Sequence, residues 1–326
     1  MHIFFSVLAM LGGLAMFLYG MRIMSNNLKE SSSGTLKVVM EKVTNNPIKA
    51  FLLGLIVTGI IQSSTACIVI TSGLVAAGII RFENSIGVIV GANVGTTVTG
   101  QIIRLLDVQS DEDSLLNLFT PNTLSAIAMI VGIVIIMGFS FKNANNIGTI
   151  VIGFGLLFYG LLAMKDAVSS FQDSLGGLFT SLGDKPILGY LSGAGVAFIL
   201  QSSSATVGIL QAFSSAGQEL TFKAVYIILC GIYLGDCVTT AIVCSIGAKP
   251  DAKRVGLVNI LFNLSETILV VIAVNVVRMF GALDTLWDLP LTAGGIANTN
   301  TVFNLSCAIL LLPLVGCILQ DSEKSN

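Results

Sequence analysis

Seven long apolar runs set the frame of the chain, over about 3–27, 84–106, 120–141, 147–168, 221–246, 255–280 and 294–319. Each is near the roughly 20 residues that a helix needs to cross a bilayer. Two further apolar stretches are cut in the middle by a short polar sequence. Phe51 to Ile61 and Cys67 to Ile80 flank Gln62-Ser63-Ser64-Thr65-Ala66, and Ile187 to Leu200 and Thr206 to Ala216 flank Gln201-Ser202-Ser203-Ser204-Ala205. Amides and hydroxyls on unwound backbone are tolerated at membrane depth only where protein or a watery cavity satisfies them. Both stretches therefore predict re-entrant helical hairpins, over about 47–80 and 186–217. The pattern predicts an all-α polytopic membrane protein of about seven crossings plus two hairpins.

The halves echo one another. Gly13-Leu14 and Phe17-Leu18-Tyr19-Gly20 are answered by Gly155-Leu156 and Leu157-Phe158-Tyr159-Gly160. Gly91-Ala92-Asn93-Val94-Gly95-Thr96-Thr97-Val98-Thr99 is answered by Gly231-Ile232-Tyr233-Leu234-Gly235-Asp236-Cys237-Val238-Thr239. Tyr19 and Tyr159 lie 140 positions apart, as do Gly91 and Gly231, and Gln62 and Gln201 lie 139 apart. A near-constant offset marks an internal duplication, with a first repeat over 1–141, a second over 147–281 and an additional C-terminal membrane helix over 294–319. Each unit holds three crossings and one hairpin, so the second enters from the opposite side. This is the inverted-repeat arrangement of secondary transporters, with a site near the midplane where the repeats meet. The two polar tips are expected to converge there. Polar segments precede both hairpins, Lys29 to Lys49 with Pro47 at the entrance, and Lys165 to Pro186.

Composition supports the membrane reading. Hydrophobic residues make up 54% of the 326 and charged residues 10%, with a mean hydropathy of +0.91, against about 25% charged in a soluble domain. The expected location is a cell membrane, the bacterial inner membrane, with the lipid bilayer as the surrounding partner. A net charge of −2 gives no footing for nucleic acid. The stretch His2 to Met24 lacks the basic start and cleavage site of a signal peptide and reads as a first membrane helix. Cys67, Cys230, Cys237, Cys244, Cys307 and Cys317 all fall in apolar runs, where free cysteine packs as a small hydrophobe. Three of them recur every seven residues, at 230, 237 and 244, but without a nearby histidine they make a poor metal site. Basic residues set the orientation: Lys29, Lys37, Lys42, Lys49, Lys142, Lys249, Lys253 and Arg254 share one side, and only Arg104 accompanies the Asp107 to Asp113 loop on the other. The positive-inside rule places the basic loops in the cytoplasm, with the N-terminus outside and the C-terminus inside.

At each tip the hydroxyl residues, Ser63, Ser64 and Thr65 or Ser202, Ser203 and Ser204, stand where a second half-helix begins. Hydroxyls cap such starts, and the remaining amides with the helix dipole favour an anion. Gln62 and Gln201 are able to coordinate a cation or donate to an oxyanion. The bland reading is that these residues only cap broken helices. In the following crossing, Asn93, Thr96, Thr97 and Thr99 supply oxygen ligands that suit Na⁺, and Gly91 and Gly95 permit close backbone approach. The second half offers Tyr233, Asp236, Cys237, Thr239 and Thr240. A carboxylate in the middle of a membrane helix costs about 2.5–3.5 kcal/mol on insertion scales and marks an ion pathway, which singles out Asp236 for coupling. Glu266, with Asn259 and Asn263 before it, and Asn300 form a second tier, equally readable as interhelical hydrogen bonds. Arg104, Arg254 and Arg278 lie near helix ends and read as snorkelling anchors.

The paired QSSTA and QSSSA hairpins followed by GANVGTT resemble the type II sodium–phosphate cotransporter family, in the bacterial form without a PhoU-like domain. NILFN at Asn259 to Asn263 and ANTNTVFN at Ala297 to Asn304 resemble further family segments, the latter with Asn300 where the family carries histidine. The resemblance implies import of inorganic phosphate with Na⁺ by alternating access. Phosphate would be held by Gln62, Ser63, Ser64, Thr65, Gln201, Ser202, Ser203 and Ser204. Na⁺ would be held by Gln62, Asn93, Thr96, Thr97, Gln201, Asp236, Thr239 and Thr240. No cofactor is implied beyond the coupling ion, and a homodimer is the assembly a carrier with a fixed frame would use. One departure bears on substrate: the second GANxGTT has become GIYLGDC, with Tyr233 for asparagine and Asp236 for the first threonine. The added charge would hold another Na⁺ or a proton, or repel a dianion. A Na⁺- or H⁺-coupled carrier of another small anion and an uncoupled anion channel are the alternatives. An enzyme is disfavoured because the chain's one histidine is His2 and general-base or metal chemistry has no evident home.

Overall fold

The computed structural model describes residues 2–43, 46–108, 115–169, 177, 179, 181–245 and 250–324. Lys249 and most of the loop after Asp107 lie outside the described residues, as do the side chains of Lys37, Lys42 and Cys317. In chain order the main helices are α1 (His2–Val43), α2 (Pro47–Ile61), α3 (Ser64–Ala76), α4 (Phe82–Ile103), α5 (Pro121–Gly138) and α6 (Ala144–Ser169). They continue with α7 (Pro186–Leu200), α8 (Ser203–Ser215), α9 (Phe222–Ser245), α10 (Pro250–Met279) and α11 (Ala293–Lys324). Among the described residues seven helices are long and apolar enough to cross a membrane: Phe4–Ser31, Phe82–Asp107, Pro121–Gly138, Ala144–Ser169, Phe222–Ser245, Lys253–Met279 and Ala293–Pro313. The fold is all-α and polytopic, as the apolar pattern predicts. One boundary differs. The polar segment from Lys29 continues α1 to Val43, through the weak helix formers Ser31 to Thr35, and no proline intervenes to stop it before Pro47.

The four short helices come in two pairs, each broken at a glutamine. Asn46 starts α2, its side-chain oxygen accepting from the amides of Ile48 at 2.8 Å and Lys49 at 3.2 Å, with Pro47 in the first turn. The helix stops at Gln62, which takes the left-handed conformation (φ 59°), and Ser63 then caps α3 by accepting from the Ala66 amide at 3.2 Å. The second pair repeats the device. Gln201 is left-handed (φ 54°), and Ser202 caps α8 by accepting from Ala205 at 3.2 Å. These glutamines are the only non-glycine residues of positive φ among the described residues. An arm of 15 residues rises about 22 Å, short of a hydrocarbon core about 30 Å thick.

Glycine lets the long helices touch backbone to backbone. A Cβ on Gly91 would collide with the carbonyl of Phe51, and one on Gly95 would lie 2.7 Å from that of Leu55, so α2 lies parallel along α4. The same fit recurs between α7 and α9, where a Cβ on Gly231 would collide with the Tyr190 carbonyl and one on Gly235 with that of Ala194. Helices α1 and α6 cross through a reciprocal contact: Gly13 faces Gly160 and Gly20 faces Gly153. The order of these pairs makes α1 and α6 antiparallel. Gly13 and Gly153, like Gly20 and Gly160, are 140 positions apart, the self-complementary pattern a twofold axis produces.

Two clusters mark the ends of the bundle. At one, Lys223 pairs with Asp184 at 3.0 Å and Asp288 at 2.8 Å, and the Leu291 amide donates to the Leu220 carbonyl at 2.9 Å. Asp107 belongs to the same end, accepting from the amides of Ala293 at 3.1 Å and Gly294 at 2.5 Å and so capping α11. At the other, Ala50 and Ile80 of the first broken pair share a core with Cys244 and Val255.

Candidate functional site

Both tips reach α9. Thr65 Oγ1 at the first lies 3.3 Å from Thr240 Oγ1, and the backbone amide of Ser203 at the second donates to Asp236 Oδ1 at 3.3 Å. Thr240 donates back to the Asp236 carbonyl at 3.2 Å, so the two meeting points are a single helical turn apart.

Beside them lies a narrow cavity of about 10 Å³, room for one water-sized species. Helix α4 contributes Asn93 and Thr96, α8 Ser203 and Val207, α9 Tyr233 and Asp236, α10 Asn263, and α11 Asn300 and Asn304. The residues thus come from both halves of the sequence, and Asp236 is the one charged side chain among them. Amide groups hold this arrangement. Asn93 Nδ2 donates to the Ile89 carbonyl and to Asn259 Oδ1, each at 2.9 Å, and Asn263 Nδ2 donates to Asn93 Oδ1 at 3.3 Å, tying α4 to α10. In the second half, Tyr233 stands where Asn93 stands in the first and does the matching job. Its hydroxyl donates to Asn300 Oδ1 at 2.9 Å, which also accepts from Asn304 Nδ2 at 3.3 Å, tying α9 to α11.

The structure brings together seven of the residues singled out from the sequence in the cavity wall, Asn93, Thr96, Ser203, Tyr233, Asp236, Asn263 and Asn300. The others stand nearby in different roles. Gln62 spends its side chain on protein, donating to the Gly59 carbonyl at 2.5 Å and accepting from Thr99 at 2.7 Å, whereas Gln201 is exposed. Ser63 and Ser202 act as caps, Ser64 is buried, and Ser204 Oγ lies 3.4 Å from Ser202 Oγ. The hydroxyls of Thr97 and Thr239 donate within their own helices, to Val94 at 2.8 Å and Gly235 at 3.2 Å. Glu266 is fully buried, and neither of its carboxyl oxygens has a hydrogen-bond partner among the described residues. Arg104 donates to Gln101 at 3.2 Å, and the Arg278 guanidinium lies 3.9 Å from the Trp287 ring centre. The five described cysteines are free and buried.

Sequence reasoning missed two features. The segment Asn-x-x-Phe-Asn-Leu-Ser occurs twice, at Asn259 to Ser265 and Asn300 to Ser306, and each copy receives the polar residue of a different half. That repeat is the signal that would have found the pairing. Gln211 carried no such signal; it is buried in α8 and donates to the carbonyls of Gly100 and Ala293, both at 2.9 Å, bridging three helices.

The Na⁺/Pi-cotransporter family model matches residues 16–166 and again 167–297. The chain belongs to the Na⁺/Pi-cotransporter family. This is a family of membrane transporters and not of enzymes, and with its seven apolar helices the chain is a multi-pass membrane protein. Protein YqeW of Bacillus subtilis is 27% identical over 92% of this chain and 92% of its own length. Protein YjbB of Escherichia coli, whose name proposes it as an inorganic phosphate exporter, is 25% identical over 95% of this chain, which spans 54% of YjbB. Sodium-dependent phosphate transport protein 2A of rat is 26% identical over 32% of this chain and 17% of its own length. No solved structure matches the chain.

Proposed function

We propose that this family member is a secondary active transporter of a bacterial inner membrane, moving inorganic phosphate with Na⁺ through a site between the two broken helix pairs. One observation carries the reading: a single buried cavity takes Asn93 and Thr96 from one half, and Ser203, Tyr233 and Asp236 from the other. A site shared by two halves opens to either side when one half moves against the other, which is alternating access. The inverted arrangement is supported by the antiparallel α1 and α6 and by the two end clusters. The first broken pair has its open ends with Cys244 and Val255, the second with Lys223 and Asp288.

The residues divide the work by charge. The amides at the starts of α3 and α8 favour an anion, and the Ser64, Thr65, Ser203 and Ser204 hydroxyls beside them donate further. The side-chain oxygens of Asn93, Thr96, Asn300 and Asp236 suit a hard cation. At about 10 Å³ the cavity has room for a Na⁺-sized species and would have to widen to take phosphate. Coupling to Na⁺ drives the anion inward wherever the cell keeps internal Na⁺ low, the reverse of the direction in the name of YjbB.

The test is radiolabelled phosphate flux in liposomes holding the purified protein, under Na⁺, K⁺ and proton gradients of both polarities. Accumulation that follows the Na⁺ gradient is expected. Flux that ignores every cation gradient would instead mean a channel, and accumulation of sulfate or a small carboxylate in place of phosphate would mean another anion carrier. Ser203→Ala should cut the uptake rate at least about tenfold, a loss of about 1.4 kcal/mol in transition-state stabilisation, with the protein still monodisperse. Unchanged uptake would remove Ser203 from the site.

A further inference from the structure

The anion position at the second tip is already taken, by the protein itself. Asp236 Oδ1 accepts the backbone amide of Ser203 at 3.3 Å, at the first turn of α8, where free amides and the helix dipole attract negative charge. The carboxylate is buried, lines the cavity and is its one charged wall residue. The first half lacks this contact. Thr96 occupies the matching place, and its hydroxyl donates to the Ala92 carbonyl at 3.2 Å, back into its own helix. The two tips are therefore unequal: one faces a neutral hydroxyl and the other a tethered anion.

We infer that Asp236 is a built-in competitor for the transported anion, released by the coupling cation. With no cation bound, its carboxylate holds the Ser203 amide and excludes phosphate by occupancy and by like charge. A Na⁺ entering the narrow cavity meets Asp236 together with the side-chain oxygens of Asn93, Thr96 and Asn300. It draws the carboxylate onto itself, which frees the amide and cancels the charge. The cation must then bind first, and a tip that stays blocked in its absence prevents anion leakage. The inference rests on the proposed anion site at the tips. It adds a specificity role for Asp236 that a plain Na⁺ ligand does not have.

The two roles predict opposite outcomes for Asp236→Thr. A plain ligand, once lost, weakens transport in Na⁺ and adds nothing in K⁺. A tethered competitor, once lost, uncovers the anion site. If the amide is free in about one molecule in ten without cation, its removal raises apparent anion affinity in K⁺ about tenfold. The measurement is the shift in thermal unfolding of the detergent-purified full chain on titration with phosphate, and in parallel with sulfate, in NaCl and in KCl. Wild type should need about tenfold more anion in KCl than in NaCl for the same shift, and Asp236→Thr should respond at the low concentration in both salts. Asp236→Asn, which keeps an acceptor of the same shape but no charge, should fall between. Asp236→Ser stands in should the threonine variant fail to give a monodisperse protein. A response to sulfate but not phosphate would overturn the proposed substrate and leave the competitor role to be read with sulfate. Silence of the variants in KCl toward both anions overturns the inference, even where wild type responds in NaCl.

Discussion

Single side chains at the breaks carry opposing energies that substitution separates. A left-handed conformation costs an L-residue about 1–2 kcal/mol, and glycine escapes most of it. Gln201 is exposed and spends this energy without a side-chain bond among the described residues, whereas Gln62 recovers part of it through Thr99. Gln201→Gly should therefore raise stability by about 1 kcal/mol, whereas Gln62→Gly should be neutral to about 1 kcal/mol destabilising, because two hydrogen bonds worth about 1 kcal/mol each, to the Gly59 carbonyl and from Thr99, are lost with the strain. Thermal unfolding in one detergent measures both, and a destabilised Gln201→Gly would show that its side chain has a structural duty. Glu266 offers a second residue-level test. A buried carboxyl group without a hydrogen-bond partner carries a desolvation cost of about 1–3 kcal/mol, which the isosteric amide shares, so Glu266→Gln should unfold at no lower temperature than wild type. A loss above about 2 kcal/mol would instead reveal a buried charge partner such as a bound cation.

At the level of elements, the helix pairs α2–α4 and α7–α9 depend on glycines that no other residue replaces without moving backbone. Alanine at Gly91 or Gly231 would set a methyl against the Phe51 or Tyr190 carbonyl. Overpacking of this kind costs about 1–3 kcal/mol. Gly73 and Gly195 face open space, so alanine there should be neutral or gain up to about 1 kcal/mol from helix propensity. A thermal scan of the four variants separates the two classes, and equal effects at all four would mean that the close approach is relieved by small helix shifts. The elements themselves were legible in the sequence: a polar break in an apolar run is difficult to place anywhere but at a helix junction, and Gln62 and Gln201 are where the helices break. Partnering was not. An asparagine or threonine in an apolar helix has two outlets, its own backbone one turn away, as Thr97 and Thr239 use, or a neighbouring helix, as Asn93 uses with Asn259. Hydrophobic periodicity does not choose between them. For the same reason the bridging of three helices by Gln211 and the capping of α11 by Asp107 became visible only with the tertiary arrangement.

For the whole molecule the question is which end of each broken pair faces which side of the membrane. Arg81 follows the first pair, next to the Ile80 that packs with Cys244 and Val255, and Asp184 precedes the second pair beside Lys223 and Asp288. The proposed inversion sets these two positions on opposite sides, and the positive-inside rule sets Arg81 in the cytoplasm as the expected outcome. The five described cysteines are buried, so a Cys317→Ser parent carrying either Arg81→Cys or Asp184→Cys reports the added thiol. Losing the exposed Asp184–Lys223 pair costs at most about 1 kcal/mol, which leaves the fold intact. In whole cells a membrane-impermeant maleimide should modify Asp184→Cys directly and reach Arg81→Cys only after permeabilisation. The reverse pattern would keep the inversion and turn the orientation around. Labelling of both from the same side would mean that the broken pairs enter together, and a midplane site between opposed tips would have to be abandoned, since tips from one side meet at that face rather than at the centre.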